Sequence, residues 1–221
     1  MLAKVKGGVG ATTTARELAA AAIGDGKSVA LVDLDGQGSL TKWWNRRTKD
    51  LSGSEAPDLA LIQEPPEQLP NTVAAAARRY DIVFIDVPPS THSLVGAVMR
   101  SCDFAIVPVR PTQDDIDVVP PVLSMLNEAA LPFAFVVNQA LVRSRLTQDA
   151  EKWLQKRGRI AATLHLRTDF PAAAPFGRAA VEEAPRSKAA EEIRELWAFV
   201  RDEIKVSRQG VKKGRLYAMK T

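Results

Sequence analysis

A single cysteine, Cys102, in a chain of 221 residues can close no intramolecular disulfide and assemble no thiolate metal site. Its apolar neighbours are those of a buried core cysteine. The two histidines, His92 and His165, are far apart in sequence and suggest neither a metal site nor a catalytic dyad. No stretch approaches the roughly 18 apolar residues of a spanning helix. The first residues, MLAKVKGG, run into glycines where a signal peptide would have its apolar core, so we expect a cytoplasmic protein. Aromatics are scarce at 6%, yet apolar residues reach 46%, enough for one sizeable core and too few residues for two full-sized domains. The expectation is one domain over residues 1–206 and a basic, flexible tail over residues 207–221.

The formal net charge of +4 hides an asymmetry. Residues 1–138 hold 12 Lys/Arg against 16 Asp/Glu, whereas residues 139–221 hold 18 against 10. A basic C-terminal third on an acidic body points to a polyanionic partner, either nucleic acid or an anionic membrane surface.

Short β-branched runs at residues 30–34, 81–86, 104–109 and 133–138 (ALVDL, DIVFID, FAIVPV, FAFVVN) are continuous apolar strands, as expected for strands buried on both faces. Helical patterns lie between them: the Ala-rich 13–26 closed by Gly24 and Gly26, then 71–80, then 115–130. This βαβα order predicts an α/β, three-layer sandwich with a mostly parallel sheet and helices on both faces. Residues 47–70, rich in Pro, Ser and Glu, read as a surface excursion around one short strand at 58–62, with Trp43 and Trp44 packed beneath it. The last helix is expected over 187–204, with Ile193, Leu196, Trp197, Val200 and Ile204 as its core stripe.

Between a short apolar strand at 2–5 and the Ala-rich helix lies KGGVGATTTA, residues 6–15. Glycines in that position let backbone N–H groups converge on phosphate oxygens, and the helix adds its positive end. Aligned on the P-loop pattern G-x-x-x-x-G-K-[ST], with Thr12 as the hydroxyl residue, the chain has Ala11 where the lysine belongs. Two further segments end strands in carboxylates where open α/β sheets bind ligands: LVDLDGQGSL (31–40), carrying Asp33 and Asp35, and DIVFIDVPPS (81–90), carrying Asp86. Asp86 in that setting can hold Mg²⁺ through water.

In this order and spacing the segments resemble the deviant Walker A ATPases of the ParA/MinD family, and most closely ParA-type partition and positioning ATPases. The resemblance covers roughly residues 2–200 and includes VPVRPTQDDID (107–117) as a dimer-face loop and FVVNQ (135–139). It departs from the family at Ala11 and at Gly36, which stands in place of a proline. It implies ATP/ADP with Mg²⁺ bound by Lys6, Gly7, Gly8, Val9, Gly10, Ala11, Thr12 and Thr13, with Asn138 at the adenine. Thr12, Asp35 and Asp86 would serve the metal; Lys6 would act in trans on the partner's nucleotide, and Asp35 would orient the attacking water. Three readings of Ala11 stand: a substitution introduced to disable the site, a natural non-hydrolysing member, and a variant in which Lys6 does all the charge work. The intact spelling around Ala11 favours the first.

The resemblance also implies an ATP-dependent homodimer, a surface on which it binds, and a stimulating adaptor of the ParB-like kind. Non-specific DNA, with nucleoid association, is the first choice of surface. Its candidates are Arg143, Arg145, Lys152, Lys156, Arg157, Arg159, Arg167 and Arg178, and in the tail Lys205, Arg208, Lys212, Lys213 and Arg215. Membrane is second, because Val211, Leu216, Tyr217 and Met219 make no clear apolar face. No helix-turn-helix segment precedes the P-loop, so operator-specific binding is not expected. The alternatives to partition of a plasmid, chromosome or other large cargo are a MinD-like membrane switch and a biosynthetic ligase on the same fold. Iron–sulfur relatives need cysteines that Cys102 alone does not supply.

Overall fold

The computed structural model describes residues 1–4, 6–50, 59–62, 69–89 and 93–218. In chain order the elements are α1 (Ala11–Gly24), β1 (Val29–Asp33), α2 (Ser39–Asp50), β2 (Leu59–Ile62), α3 (Leu69–Arg79), β3 (Ile82–Asp86), α4 (Ser93–Met99) and β4 (Ala105–Val109). They continue with α5 (Gln113–Ile116), α6 (Val119–Glu128), β5 (Phe133–Ala140), α7 (Arg145–Gln155), β6 (Ile160–His165), α8 (Asp169–Ala173), a 3₁₀ turn (Ala174–Phe176), α9 (Ala180–Glu183) and α10 (Lys188–Ala218).

All strand pairs are parallel, in the orders β2-β1-β3 and β4-β5-β6. The N-terminal segment joins the two halves: Leu2 bridges Asp86 on one side and Ile106 on the other. Its backbone bonds, Leu2 N–H to Ile85 O (2.9 Å) and Ala3 N–H to Ile106 O (2.8 Å), make the sheet continuous. Of the strand expected at 2–5, only Leu2 forms bridges, and Val5 lies outside the described residues.

Successive strand residues face opposite layers. Leu31, Phe84, Ile106 and Val136 pack with α1, α2 and α10 through Leu18, Trp43, Ile193, Leu196 and Trp197. Their neighbours Val32, Ile85, Val107 and Val137 pack with α4, α6 and α7 through Val98, Leu126 and Leu154. Both faces are therefore dry, which is why the strands read as unbroken apolar runs and why the three-layer parallel arrangement follows. In α1, Ala15, Ala19 and Ala22 are fully buried, so the helix spends its face on small side chains that allow close packing.

The structure corrects several expected boundaries. The single helix over 115–130 is two, because Pro120 and Pro121 sit in the first turn of α6, where a missing N–H costs nothing, and cannot continue α5. Residues 47–50 belong to α2, and Trp43 packs in the core against the 178–182 segment, donating its indole N–H to Arg178 O at 3.0 Å. Gly177 (φ 65°) permits that approach, since a Cβ there would lie 2.0 Å from Arg47 N. The helix expected to stop at 204 continues to Ala218, as Lys, Arg, Gln and Leu favour helix and Gly210 and Gly214 each cost only about 1 kcal/mol. The excursion at 51–58 and 63–68, and Ser90 to His92, lie outside the described residues.

Candidate nucleotide site

The parallel register aligns Asp33 with Asp86, placing the ends of β1 and β3 side by side at the carboxyl edge. Above them α1 begins at Ala11, directly after Gly10. Gly10 is held at φ 81°, and a Cβ there would meet Asn138 Nδ2 at 2.4 Å, so only glycine fits. A helix start leaves its first N–H groups without helical acceptors. No side chain caps them here, and Ala11, Thr12 and Thr13 line an open cleft of about 820 Å³. Lys4, Lys6, Arg16, Lys42 and Arg46 line the same cleft with Asp35. An uncapped helix start ringed by cations is an anion site.

The Thr12 hydroxyl donates to Asp86 Oδ2 at 2.6 Å. The Lys4 ammonium lies 2.6 Å from Asp35 Oδ2 and 3.0 Å from Asp86 Oδ1. That second contact is an ion pair, so the fully buried Asp86 has Thr12 on one carboxylate oxygen and Lys4 on the other. Burial pushes the Asp86 carboxyl above its ordinary range against the pull of Lys4 and Thr12. Burial also works against Lys4, but the two carboxylates prevail and hold it above its ordinary value. At Asp35 burial is likewise outweighed, by Lys4 and the Gln37 N–H, and the carboxyl sits low. Asp33 turns away: its Oδ2 accepts the Thr41 N–H and hydroxyl, both at 2.9 Å, anchoring the start of α2 and the loop that carries Asp35.

Thr12, Asp35 and Asp86 are oxygen donors of the kind Mg²⁺ prefers, and both carboxylates face the cleft side on which Lys4 lies. Among the described residues no group of three or more His, Cys, Asp or Glu converges on one point. The residues fit a Mg²⁺ whose remaining ligands are phosphates and water.

Lys6 reaches Asp115 of α5 at 2.9 Å, within its own chain. Asp115 is fully buried and also takes Arg110 in two contacts, at 2.5 and 3.1 Å. Burial would raise its carboxyl, but Arg110 and Lys6 bring it below the usual range. The dimer-face loop expected at 107–117 thus holds the lysine expected to act in trans.

Next to the phosphate cleft opens a second chamber of about 590 Å³, sharing Gly10, Thr13, Arg16, Arg46 and Gln139 with it and closed by Phe170, Pro171 and Pro175. Its position and apolar lining suit a nucleoside. Asn138 borders it, but its amide is engaged: Nδ2 donates to Val9 O (2.9 Å) and Thr14 Oγ1 (3.3 Å), and Oδ1 accepts the Gln139 N–H (2.9 Å). Asn138 here fastens the phosphate loop to β5. Sequence reasoning missed Lys4, Arg16, Gln139 and the 166–175 wall; only the place of Gln139 at the carboxyl end of β5, and of the wall just after β6, could have signalled the last two.

The cations proposed for a polyanion separate into groups. Arg145, Lys152 and Lys156, at helical spacings of seven and four, form one exposed stripe on α7, with Arg143 just before it and Asp149 inside it. Arg157 stacks over the Trp153 ring at 3.4 Å. Arg159 is paired with Glu203 at 2.5 Å. Arg167 is not part of this surface: it pairs with Glu192 at 2.6 Å and lines the second chamber. Arg178 is half-buried beside α2, its carbonyl capping Trp43. Lys205 pairs with Asp202 at 3.6 Å, and the remaining tail cations lie on the continued α10. Among the described residues no helix is long and apolar enough to cross a membrane.

A family model described as the CobQ/CobB/MinD/ParA nucleotide binding domain matches residues 1–180. The chain is 30% identical to the maintenance of carboxysome distribution protein A of Halothiobacillus neapolitanus over 165 residues, covering 71% of this chain and 73% of that protein. It is 30% identical to the chromosome-partitioning ATPase Soj of Thermus thermophilus over 228 residues, covering 88% and 92%. Among solved structures, the septum site-determining protein MinD of Pyrococcus horikoshii, complexed with Mg-ADP, superposes with a TM-score of 0.74 at 19% identity, covering 93% and 97%. A plasmid partition protein of Borrelia burgdorferi bound to AMPPNP superposes at 0.73 and 17% identity, covering 91% and 97%.

Proposed function

Because the chain belongs to the CobQ/CobB/MinD/ParA nucleotide-binding family, we propose that it is a ParA-like ATPase that positions a large cargo through ATP-dependent dimerisation and non-specific DNA binding. The observation that carries this reading is the meeting of Thr12, Asp35 and Asp86 beneath the uncapped start of α1. ATP phosphates bind in the 820 Å³ cleft against the first N–H groups of α1, with the nucleoside in the adjoining chamber. Thr12, Asp86 and Asp35 would hold Mg²⁺, which would supply neutralisation of phosphate charge. Asp35, on a short loop braced by Asp33, orients water at the γ-phosphate.

Ala11 withdraws a charge-assisted contact from the β/γ-phosphates, which lowers transition-state stabilisation more than ground-state binding. Hydrolysis is therefore impaired while nucleotide is still held. On dimerisation Lys6 leaves Asp115 and reaches the partner's nucleotide, so the Lys6–Asp115 pair keeps the free subunit's lysine at home. The stripe of Arg145, Lys152 and Lys156, with Arg143 and Arg157, supplies phosphate contacts that carry no sequence preference. A ParB-like adaptor that speeds hydrolysis and release completes the cycle, in a nucleoid-associated cytoplasmic protein.

The reading is tested by binding of random-sequence duplex and of anionic vesicles, with and without ATP and Mg²⁺, for this chain and for Ala11→Lys at two salt concentrations. Duplex binding that requires ATP and falls steeply with salt supports it. Vesicle binding alone would favour a MinD-like switch, and binding to neither an enzyme that works without a surface.

A further inference from the structure

Lys4 has no part in the roles above, although it is the best-buried cation of the site. It emerges from the central N-terminal segment at the carboxyl edge of the sheet, with a side chain 6% exposed, and lines the phosphate cleft. Its Nζ lies 2.6 Å from Asp35 Oδ2 and 3.0 Å from Asp86 Oδ1, while Thr12 holds the opposite oxygen of Asp86 at 2.6 Å. One ammonium therefore touches both carboxylates that a divalent ion would need. Lys6, the other lysine of the loop, is engaged by Asp115, and Ala11 offers no charge. Without Lys4 the fully buried Asp86 carboxylate would lose its counter-ion, and the partly exposed Asp35 its ion-pair partner.

We propose that the Lys4 ammonium and a divalent cation are alternative occupants of the Asp35–Asp86 pair, so that Lys4 preforms the site, admits nucleotide without metal, and is displaced when the metal binds. The assignment rests on the nucleotide-switch reading of this cleft. A lysine suits such an exchange because its ammonium is a compact point charge on a flexible stem that can swing aside without losing a fixed bidentate geometry. Once displaced, Nζ remains in the cleft that lacks a lysine at position 11.

The full chain, Lys4→Met and Lys4→Gln are compared by Mn²⁺ binding without nucleotide, read by electron paramagnetic resonance, and by ADP binding in EDTA and in Mg²⁺. An opposite charge at this range is worth about one to three log units, so both variants are expected to bind Mn²⁺ about tenfold or more tightly than the unaltered chain. The unaltered chain is expected to bind ADP in EDTA nearly as well as in Mg²⁺, and the variants only with Mg²⁺. Equal Mn²⁺ affinity in all three chains, or loss of ADP binding by the unaltered chain in EDTA, overturns the proposal. If Lys4→Met fails to fold, Lys4→Gln, whose amide can still reach Asp35, and the EDTA comparison on the unaltered chain decide it. If no chain binds ADP under any condition, the nucleotide reading falls, and the Mn²⁺ comparison still tests Lys4.

Discussion

The phosphate end of the sheet and the α7 surface both present cations to a polyanion, but they hold them in opposite ways. Lys4 is 6% exposed against a fully buried Asp86, whereas Arg145 is 93% exposed and Lys152 73%, each 3.7–3.9 Å from the half-exposed Asp149. In the first region, at the Lys4–Asp86 pair, the charges are desolvated and each has a partner at a defined oxygen, so position decides what they do and removal of one partner is expensive. In the second the charges are hydrated, their pairs contribute little, and the number of them sets the effect. A buried site tolerates almost no substitution, and a charged surface tolerates most of them one at a time.

That contrast breaks most easily at Gly10. Gly10→Ala places a Cβ 2.4 Å from Asn138 Nδ2 at φ 81°, and we expect it to cost about 2–4 kcal/mol in urea denaturation and to abolish nucleotide binding. Retention of both would show the loop to be as forgiving as α7.

Glu17 of α1 tests the buried side by pH. It is fully buried, accepts the Ala180 N–H at 2.8 Å, and burial, opposed by Arg16, raises its carboxyl to about 7. The folded chain thus keeps a proton that the unfolded chain loses near 4.5. Its contribution is present in full below that value and is lost as pH rises to about 7, at most about 3 kcal/mol. Glu17→Gln, which keeps an acceptor, should flatten the stability profile between pH 5 and 8; an unchanged slope would contradict the assignment.

Asp115 lies between the extremes, because it is buried but its partners Lys6 and Arg110 are about one-third exposed. Asp115→Asn should cost about 1–2 kcal/mol. By releasing Lys6 it should also lower the ATP concentration at which dimer forms, measured by light scattering. Dimerisation that does not shift would mean that the pair does not restrain Lys6.

The smallest effect is expected on α7. Lys152→Ala should change stability by less than about 0.5 kcal/mol and weaken duplex binding uniformly across sequences, reducing the salt slope by about one unit. A loss confined to particular sequences would argue for base contacts.

Much of the phosphate end was legible because its chemistry demands residues that are rare elsewhere. Glycines at a strand-to-helix turn and carboxylates closing apolar runs at Asp35 and Asp86 have few other uses in an α/β sheet. Lys4 was invisible for the opposite reason: a lysine near the start of a short strand reads as solvated, and only the register of Leu2 with Asp86 brings it over the carboxylates. Asn138 was expected at the adenine, but sequence shows no hydrogen-bond partners, and its amide is committed to Val9 and Thr14. The sandwich followed from the apolar strands, while β6 went unnoticed because its residues, IAATLH, are only partly buried and form no apolar run. Arg167 and Arg178 were grouped with the basic surface by composition, and their separation from it is set by α8 and α9, short helices with little periodicity to read.

The account's central claim is that the cleft over Asp35 and Asp86 is a nucleotide phosphate site despite Ala11. Calorimetric titration of the unaltered chain with Mg-ADP tests it most directly. Saturable binding of one nucleotide per chain, lost in Gly10→Ala, is the expected result. Absence of saturable binding by a folded chain, with or without metal, would contradict it.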